Sequence, residues 1–415
     1  MKNSKIKVMF FSLCSFFYIY DIALTTVPSF LSTRKIVFLV MIIYLILKKR
    51  FFKINRRLAG FILSILITTC YVFFDCLFYQ VLSNEYSILS RMIYFFIYGG
   101  IGTWLIILVF PSLEIFLQSI KYSGLIQSVI IYLLFFFEFF RNFAFQFILN
   151  EGNVSFLRAS DRGTGFGAEG ATLTIYLFLA ASVCIFFYLE KKSEIQNVII
   201  LIILGISMLL VGRTGLYALL VLILLTYIRY RINTKKIVFK DIITVIVVLI
   251  ICGTLIFIIQ SGSVTGVRFE KMIRNFSNII NFSEDRSINS LANMIIPKIG
   301  INNFWGYGVY RGSFNGIYLQ HDSGYIQSIF SLGILFFCIF YLSIFFIMKF
   351  FYSKINNKNL KFIMCFIFIL LFIIEVKEPF FIKSITFSFF IVTCALNTEG
   401  KNGKTTTNIN NCTNI

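Results

Sequence analysis

The chain has 415 residues, of which 58% are hydrophobic and only 13% are charged. A soluble domain carries about 25% charged residues, so this composition excludes a soluble fold. The formal net charge of +20 does not indicate a nucleic-acid partner, because the cations lie in short segments between apolar runs and no nucleic-acid-binding motif is present. The pattern favours basic loops that orient a membrane protein.

Apolar runs long enough to cross a bilayer recur along the whole chain. Because these runs are solidly apolar rather than alternating, they predict helices and not barrel strands. The sequence therefore predicts an all-α integral membrane protein, a single polytopic domain with about twelve transmembrane helices. The predicted spans lie near residues 8–27, 33–47, 58–80, 92–110, 124–140, 168–189, 197–211, 214–228, 241–260, 323–346, 362–375 and 380–396.

The basic residues predict the orientation of this bundle, because Lys and Arg are enriched in short cytoplasmic segments. The main basic clusters are at 2–7, 48–57, 229–240 and 349–361. They share one side if both termini are cytoplasmic, and the tail at 397–415 then lies inside. Two long loops, at 141–167 and 261–322, then face the outside. Loops of this length are usually functional or disordered, so we expect the functional surface there.

Ionisable residues at the ends of the predicted spans indicate a site, because charge in lipid is costly and usually functional. Those at the outer ends are Asp21, Asp75, Glu138, Arg213, Glu375 and Lys377. We therefore expect a polar cavity that opens to the outside. The alternative is that charges near helix ends simply extend to the membrane interface.

A Gly-rich stretch leads into the sixth predicted span. Arg158 and Arg162 precede it, and Glu169 ends it. Glycines let backbone N–H groups approach a ligand, a helix start favours anions, and Arg binds phosphate oxygens through two nitrogens. The stretch suggests a pyrophosphate cradle, with a plain connection between loop and helix as the alternative.

Arg213 lies in a tight turn between two otherwise apolar spans. An Arg with almost no loop around it needs an anion nearby. Phosphate binding is one interpretation, and a salt bridge to Asp75 or Glu375 is the other.

Aromatic and basic residues are interleaved in the second long loop, from Arg286 through Trp305 and Tyr307 to Arg311. Such surfaces stack on sugars and hold phosphates. His321, the only histidine, follows at the start of the tenth predicted span and is next to Asp322. A lone His cannot form a metal cluster, but it can accept a proton from a hydroxyl near neutral pH. A surface histidine without a role is the alternative.

Together these motifs resemble the O-antigen and capsule polymerase family (Wzy) and the related O-antigen ligases (WaaL). The matching residues are Arg162, Glu169, the Arg213 turn, Gly306, Gly308, His321, Gly333, Glu375 and Glu378. Gly170 and Ala171 stand where the family has Pro and Ser.

The resemblance implies a GT-C-like glycosyltransferase on the outer face of the cell inner (cytoplasmic) membrane. It would join undecaprenyl-pyrophosphate-linked oligosaccharide repeat units into O-antigen, capsule or exopolysaccharide. The implied reaction is an inverting displacement that uses no metal and no other cofactor. Membrane lipid, a chain-length regulator and a flippase are the further partners it suggests.

The resemblance also implies a role for each site residue. The catalytic residues would be His321 and Glu169. The pyrophosphate ligands would be Arg158, Arg162, Arg213 and Arg286. The acceptor or supporting residues would be Tyr307, Arg311, Asp322, Glu375 and Glu378.

Other functions remain open on the sequence. A ligase that moves finished glycan to a different acceptor would share the donor chemistry. A flippase or other transporter should line a path through the middle of the membrane with polar groups, whereas here they gather at one end, and no internal repeat is visible. A purely structural partner of the glycan machinery would need neither the arginines nor the histidine.

Overall fold

The computed structural model describes most of the chain, and almost all of the described residues are helical. The described residues are 2–24, 32–48, 54–79, 87–149, 164–167, 170–234, 304–308, 312–314, 317–319 and 323–406. Helices α1 to α7 are Lys2–Tyr20, Thr33–Leu47, Arg56–Tyr79, Ser87–Tyr94, Gly102–Val109, Leu113–Phe136 and Glu138–Phe147. Helices α8 to α13 are Gly170–Leu189, Glu194–Val211, Thr214–Thr234, Gly324–Ser353, Lys358–Glu375 and Ile385–Thr406.

Two short antiparallel strand pairs complete the described structure. Strand β1 (Ala23–Leu24) pairs with β2 (Ile148–Leu149), and β3 (Gly312–Phe314) pairs with β4 (Ile317–Leu319). Helices α4 and α5 are joined by a π-helical segment, Phe95–Ile101, without a break in helical backbone geometry.

Six of the helices are long and apolar enough to cross a membrane. They are Arg56–Leu77, Ile88–Val109, Leu113–Phe136, Gly170–Leu189, Glu194–Val211 and Gly324–Ser353. Two shorter apolar helices are Thr214–Tyr230 and Ile385–Thr398. The prediction of a helical, multi-pass membrane protein is therefore confirmed. Each predicted span overlaps a helix except 241–260, which lies outside the described residues.

Two segments differ from the predicted loops. Helix α7 occupies the beginning of the predicted outer loop at 141–167, and at about 15 Å it is too short to cross a bilayer. Helix α13 extends to Thr406, beyond the predicted start of the tail at residue 397. Both helical stretches carry polar residues, so hydropathy alone did not extend the predicted spans over them.

The described residues fall into two compact units. The first contains Met1–Ser15, Lys35–Ile120 and the described part of Leu291–Ile415, and the second contains Phe16–Arg34 and the described part of Lys121–Ser290. In the first unit, Phe61 stacks on Phe387 at 4.9 Å between ring centroids, and Phe95 lies 5.3 Å from Phe340. These rings join α3, the π-helical segment, α11 and α13 in one aromatic core.

Helix α11 is the element of the first unit that shapes the candidate site. Gly333 interrupts it with φ 73° and ψ 167°, far from helical values. Ser328 Oγ and Tyr341 Oη are only 3.2 Å apart across 13 residues, which would separate them by about 20 Å along a straight helix. The rings of Tyr325 and Tyr341 likewise lie 5.0 Å apart. The chain therefore folds back at Gly333.

The two arms of α11 have different lengths. The second arm, residues 334–353, is about 30 Å long and can cross a bilayer by itself. The first arm, residues 324–332, is about 14 Å long and cannot. This differs from the single span predicted at 323–346, because no charged residue lies on either side of the break within that range and the polar residues of the first arm are uncharged.

The second unit is built around α8. This helix is buried on all sides from Leu173 to Phe187, as expected for a helix that is apolar all round. Lys121 is buried beside it and donates to Asn197 Oδ1 at 3.0 Å, while Asn197 Nδ2 donates to the carbonyl of Lys192 at 2.6 Å. These bonds fix the connection between α8 and α9.

Candidate functional site

The structure describes four of the predicted site residues, Arg213, Tyr307, Glu375 and Glu378. The others lie outside the described residues and stay predictions. They are Arg158, Arg162, Glu169, Arg286, Arg311, His321 and Asp322.

In the second unit, the turn that carries Arg213 packs against the first turns of α8. Gly215 N donates to Thr174 Oγ1 at 3.2 Å, and a Cβ at Gly215 would overlap the carbonyl of Thr174. A Cβ at Gly212 would lie 3.8 Å from the carbonyl oxygen of Gly170. Gly215 therefore lets the turn approach the start of α8 closely, whereas a Cβ at Gly212 would make only ordinary van der Waals contacts.

This arrangement is electropositive. Arg213 is half-buried, and the start of α8 carries the partial positive charge of a helix N-terminus. Gly170, the first residue of α8, directly follows Glu169 in the sequence. The structure thus brings the Arg213 turn against Gly170 and Thr174 at the start of α8, the helix that follows the Gly-rich stretch in the sequence.

The described part of the Gly-rich stretch, residues 164–167, is packed against protein. Gln127 Nε2 donates to the carbonyl of Phe166 at 3.1 Å. A Cβ at Gly165 would lie 3.0 Å from Leu173 Cδ2, and one at Gly167 would overlap the carbonyl of Tyr20. Close packing is therefore sufficient to explain these two glycines. The predicted pyrophosphate cradle depends on the residues around them.

In the first unit, the segment Phe304 to Gly308 docks into the break of α11. Tyr307 N donates to the carbonyl of Phe330 at 3.0 Å, and Gly308 N donates to that of Ser331 at 3.1 Å. Gly306 and Gly333, with φ of 85° and 73°, meet backbone to backbone, and neither has room for a Cβ. The segment supplies donors for carbonyls that the broken helix leaves without helical partners.

Asp75 lies on α3 beside this segment. Its side chain is buried, with 6% of the residue exposed, and within the described part of the chain Oδ2 has no hydrogen-bond partner. A Cβ at Gly308 would lie 2.9 Å from Oδ2, so glycine is the residue that fits there. The sequence indicated Asp75 as an ionisable residue at a span end but did not place it in the site.

The aromatic residues of the segment differ in exposure. The ring of Tyr307 lies 4.7 Å from that of Phe330 and is half-buried, so packing accounts for it. Trp305 is 54% exposed, and its carbonyl accepts a hydrogen bond from Tyr71 Oη. Trp305 is therefore the better placed of the two for contact with a ligand. It belonged to the predicted aromatic stretch but not to the predicted site residues.

Glu375 is fully buried at the end of α12. It accepts hydrogen bonds from Tyr341 Oη at 2.6 Å and from the backbone N–H groups of Phe380 and Phe381 at 2.7 and 3.0 Å. Gly324, the first residue of α11, packs directly against the carboxylate and has no room for a Cβ. Glu375 thus holds together three parts of the chain. These are the start of α11 at Gly324, the second arm of α11 at Tyr341, and the turn after α12 at Phe380 and Phe381. This geometry favours a supporting role over proton transfer.

Glu378, a predicted acceptor or supporting residue, forms an ion pair, as do two ionisable residues from the predicted outer ends, Glu138 and Asp21. Glu378 pairs with Lys383 at 3.1 Å, and Glu138 pairs with Arg141 at 3.3 Å. Asp21 lies 3.7 Å from Arg34.

Arg34 has a structural role in this group. It is 5% exposed and donates to the carbonyls of Tyr18 and Ile19 at 2.7 Å each. Arg34 therefore caps the C-terminus of α1, and Asp21 contributes to this cap rather than to a charged cavity.

Comparison of the chain with protein-family models, curated proteins and solved structures finds no match. The fold and composition define the class, a helical multi-pass membrane protein. The resemblance to the O-antigen polymerases therefore depends on the motifs and on what their geometry allows.

Proposed function

We propose that this protein joins undecaprenyl-pyrophosphate-linked oligosaccharide repeat units into a surface polysaccharide. In this proposal it is a GT-C-like membrane glycosyltransferase with about twelve transmembrane helices. It acts at the outer face of the cell inner membrane, with both termini in the cytoplasm. A flippase would deliver its substrate, and a chain-length regulator would be a further partner.

The packing of the Arg213 turn against the start of α8 is the observation that carries the proposal. When the glycosidic bond forms, the acceptor oxygen bonds to the anomeric carbon, and the bond from that carbon to the pyrophosphate oxygen breaks. Negative charge then develops on undecaprenyl pyrophosphate as it leaves. A guanidinium held at a helix start stabilises such charge, and stabilisation of this kind usually contributes more to catalysis than any other single effect.

The second requirement of the reaction is removal of the proton from the acceptor hydroxyl, and the start of α11 is the part of the structure that bears on it. His321 precedes Gly324 by three residues in the sequence, and Gly324 is packed against the buried Glu375 carboxylate. The Glu375 carboxylate therefore anchors the helix start that follows His321 in the sequence. In the proposed reaction His321 takes the proton of the attacking acceptor hydroxyl, and Glu375 positions the chain without touching substrate.

Substitutions of Arg213 test the proposed charge stabilisation in cells. Arg213→Lys keeps the charge but loses the planar fork, and Arg213→Ala loses both. We expect cells with Arg213→Lys to make less long-chain polymer and cells with Arg213→Ala to make almost none. In both, lipid-linked single repeat units should accumulate while the level of the protein stays unchanged. Arg57→Lys, an exposed arginine of α3, is the matched control and should leave polymer unchanged. Full polymer with Arg213→Ala would contradict the proposal.

The products distinguish the other candidate functions. A ligase would leave lipid-linked polymer intact when inactivated and would block only its transfer to the final acceptor. A flippase would leave single repeat units on the inner face of the membrane. Accumulation of single repeat units on the outer face is expected from loss of a polymerase alone.

A further inference from the structure

Asp75 is the buried charged group for which the described contacts give no account. Its Oδ2 is buried, and no hydrogen-bond partner is present within the described part of the chain. Burying a carboxylate without a partner is costly, and buried polar groups are almost always hydrogen-bonded. A donor from a ligand would satisfy it.

Aromatic residues lie one helical turn away along α3. Tyr71 donates to the carbonyl of Trp305, and the two rings are 6.5 Å apart, while Gly308 abuts Asp75 Oδ2. The segment from Trp305 to Gly308 therefore runs beside α3 from Tyr71 to Asp75. Four residues of helix span about 6 Å, roughly the width of one sugar ring.

The support beneath Trp305 is rigid. Backbone bonds from Tyr307 and Gly308 hold the segment in the break of α11, and Leu335 N donates to the carbonyl of Phe304 at 3.5 Å. Tyr71 in turn stacks on Phe336 at 3.5 Å between ring centroids. A fixed aromatic surface loses little entropy when a ligand stacks on it.

We propose that Asp75 and Trp305 form a sugar-binding subsite. One face of a pyranose stacks on the indole of Trp305, and hydroxyls of the same sugar donate to the Asp75 carboxylate. This inference rests on the proposed function and specifies which part of the substrate the first unit holds. Asp75 brings no positive charge to hold pyrophosphate, so the group bound here is an uncharged sugar of the repeat unit rather than the lipid-linked end.

A bound cation is the main alternative partner for Asp75. Among the described residues, no group of three His, Cys, Asp or Glu side chains is placed to hold a metal ion. The backbone of Gly308, which packs close to Oδ2, offers no side-chain ligand for a cation. The combination with an exposed aromatic surface favours a sugar.

The chain has only two tryptophans, and this makes a direct test possible. In a Trp104→Phe variant, Trp305 is the only tryptophan. The purified variant is titrated with the repeat-unit oligosaccharide, released from its host's lipid carrier by mild acid. We expect a saturable change in Trp305 fluorescence. Adding Asp75→Asn should weaken binding about tenfold, because the hydrogen bonds lose their charged acceptor.

Two controls separate the subsite from general effects. Glu114→Gln makes the same charge change at an exposed position, and Phe139→Ala removes an exposed ring from another part of the chain. Neither should change the affinity. Asp75→Asn replaces a buried carboxyl group that has no described hydrogen-bond partner at Oδ2. The Tm of this variant should therefore equal or exceed that of the Trp104→Phe parent.

The inference is overturned if the oligosaccharide causes no saturable change, or if Asp75→Asn binds it as tightly as the parent. It is also overturned if sodium chloride, but not choline chloride, produces the Asp75-dependent change without sugar. Polymer formation in cells is measured in parallel. Normal polymer with no Asp75-dependent binding would remove the subsite and leave the proposed function. Asp75-dependent binding by a protein that makes no polymer would leave the subsite and remove the proposed function.

Discussion

Replacing Glu375 by Ala should destabilise the first unit severely. The carboxylate accepts three hydrogen bonds, from Tyr341 Oη and from the backbone N–H groups of Phe380 and Phe381. Its removal leaves three buried donors unpaired, each at about 1–3 kcal/mol. The sum of about 3–9 kcal/mol is comparable with the whole free energy of unfolding of a typical protein, about 5–15 kcal/mol. We therefore expect little folded protein.

Milder substitutions should give a graded response. Glu375→Gln keeps an oxygen for the backbone donors but puts an amide NH2 group in place of the oxygen that accepts from Tyr341 Oη, and Tyr341→Phe removes the same bond from its other end. Each should cost about 1–3 kcal/mol. Glu378→Ala is the matched control from the same turn. Its ion pair with Lys383 is partly exposed, so its loss should cost less than about 1 kcal/mol.

The order of destabilisation is measured on the detergent-purified variants. Each is heated, and the folded protein that remains is quantified by size-exclusion chromatography. The Tm should fall least for Glu378→Ala, further for Tyr341→Phe and Glu375→Gln, and most for Glu375→Ala. The double variant of Glu375→Gln and Tyr341→Phe should be less destabilised than the sum of the single variants, since both remove the same bond. If Glu375→Ala melts as close to the wild type as Glu378→Ala does, the reasoning about the three buried donors is wrong.

Other features of the fold give further predictions. Gly333→Ala should prevent accumulation of folded protein, because the left-handed backbone and the contact with Gly306 leave no space for a Cβ. Gly60→Ala lies at a helical position with open space around it. This change should leave the stability of the protein unchanged or raise it by about 0.5–1 kcal/mol, so the variant should accumulate as well as the wild type. Arg34→Ala should lower the Tm, because it uncaps the C-terminus of α1. After removal of the native thiols, cysteines at 141–167 should react with an impermeant reagent from outside, and cysteines at 229–240 should not. The opposite labelling would invert the proposed orientation.

The helical membrane fold could be predicted from the sequence because long apolar runs have few other solutions. The break in α11 could not be predicted in the same way. No charged residue marks the break at Gly333, and the break is stabilised by backbone donors from Tyr307 and Gly308, which lie on a separate segment. The resemblance singled out Gly306, Gly308 and Gly333, but only the structure shows that Gly306 meets Gly333 and that Gly308 packs against Asp75.

The candidate site was predictable in part. The sequence indicated Arg213 correctly as a residue in a tight turn, but not the partner of that turn, the start of α8. Asp21 was expected to line a polar cavity, yet it joins a helix cap, because a charge at a span end can equally satisfy a neighbouring backbone. Asp75 was indicated as a charge at a span end and as an alternative salt-bridge partner of Arg213, but not as a residue of the site. Its packing against Gly308 depends on a contact between distant parts of the chain.

The most direct test of the account is elongation by the purified protein. The wild type, reconstituted in liposomes with lipid-linked repeat units as the only sugar source, should produce a ladder of longer glycans and release undecaprenyl pyrophosphate. His321→Ala should reduce elongation by about 10²–10⁴-fold, as expected for loss of a general base, at unchanged folding. Failure of the wild type to extend intact repeat units, or equal elongation by His321→Ala, would contradict the account.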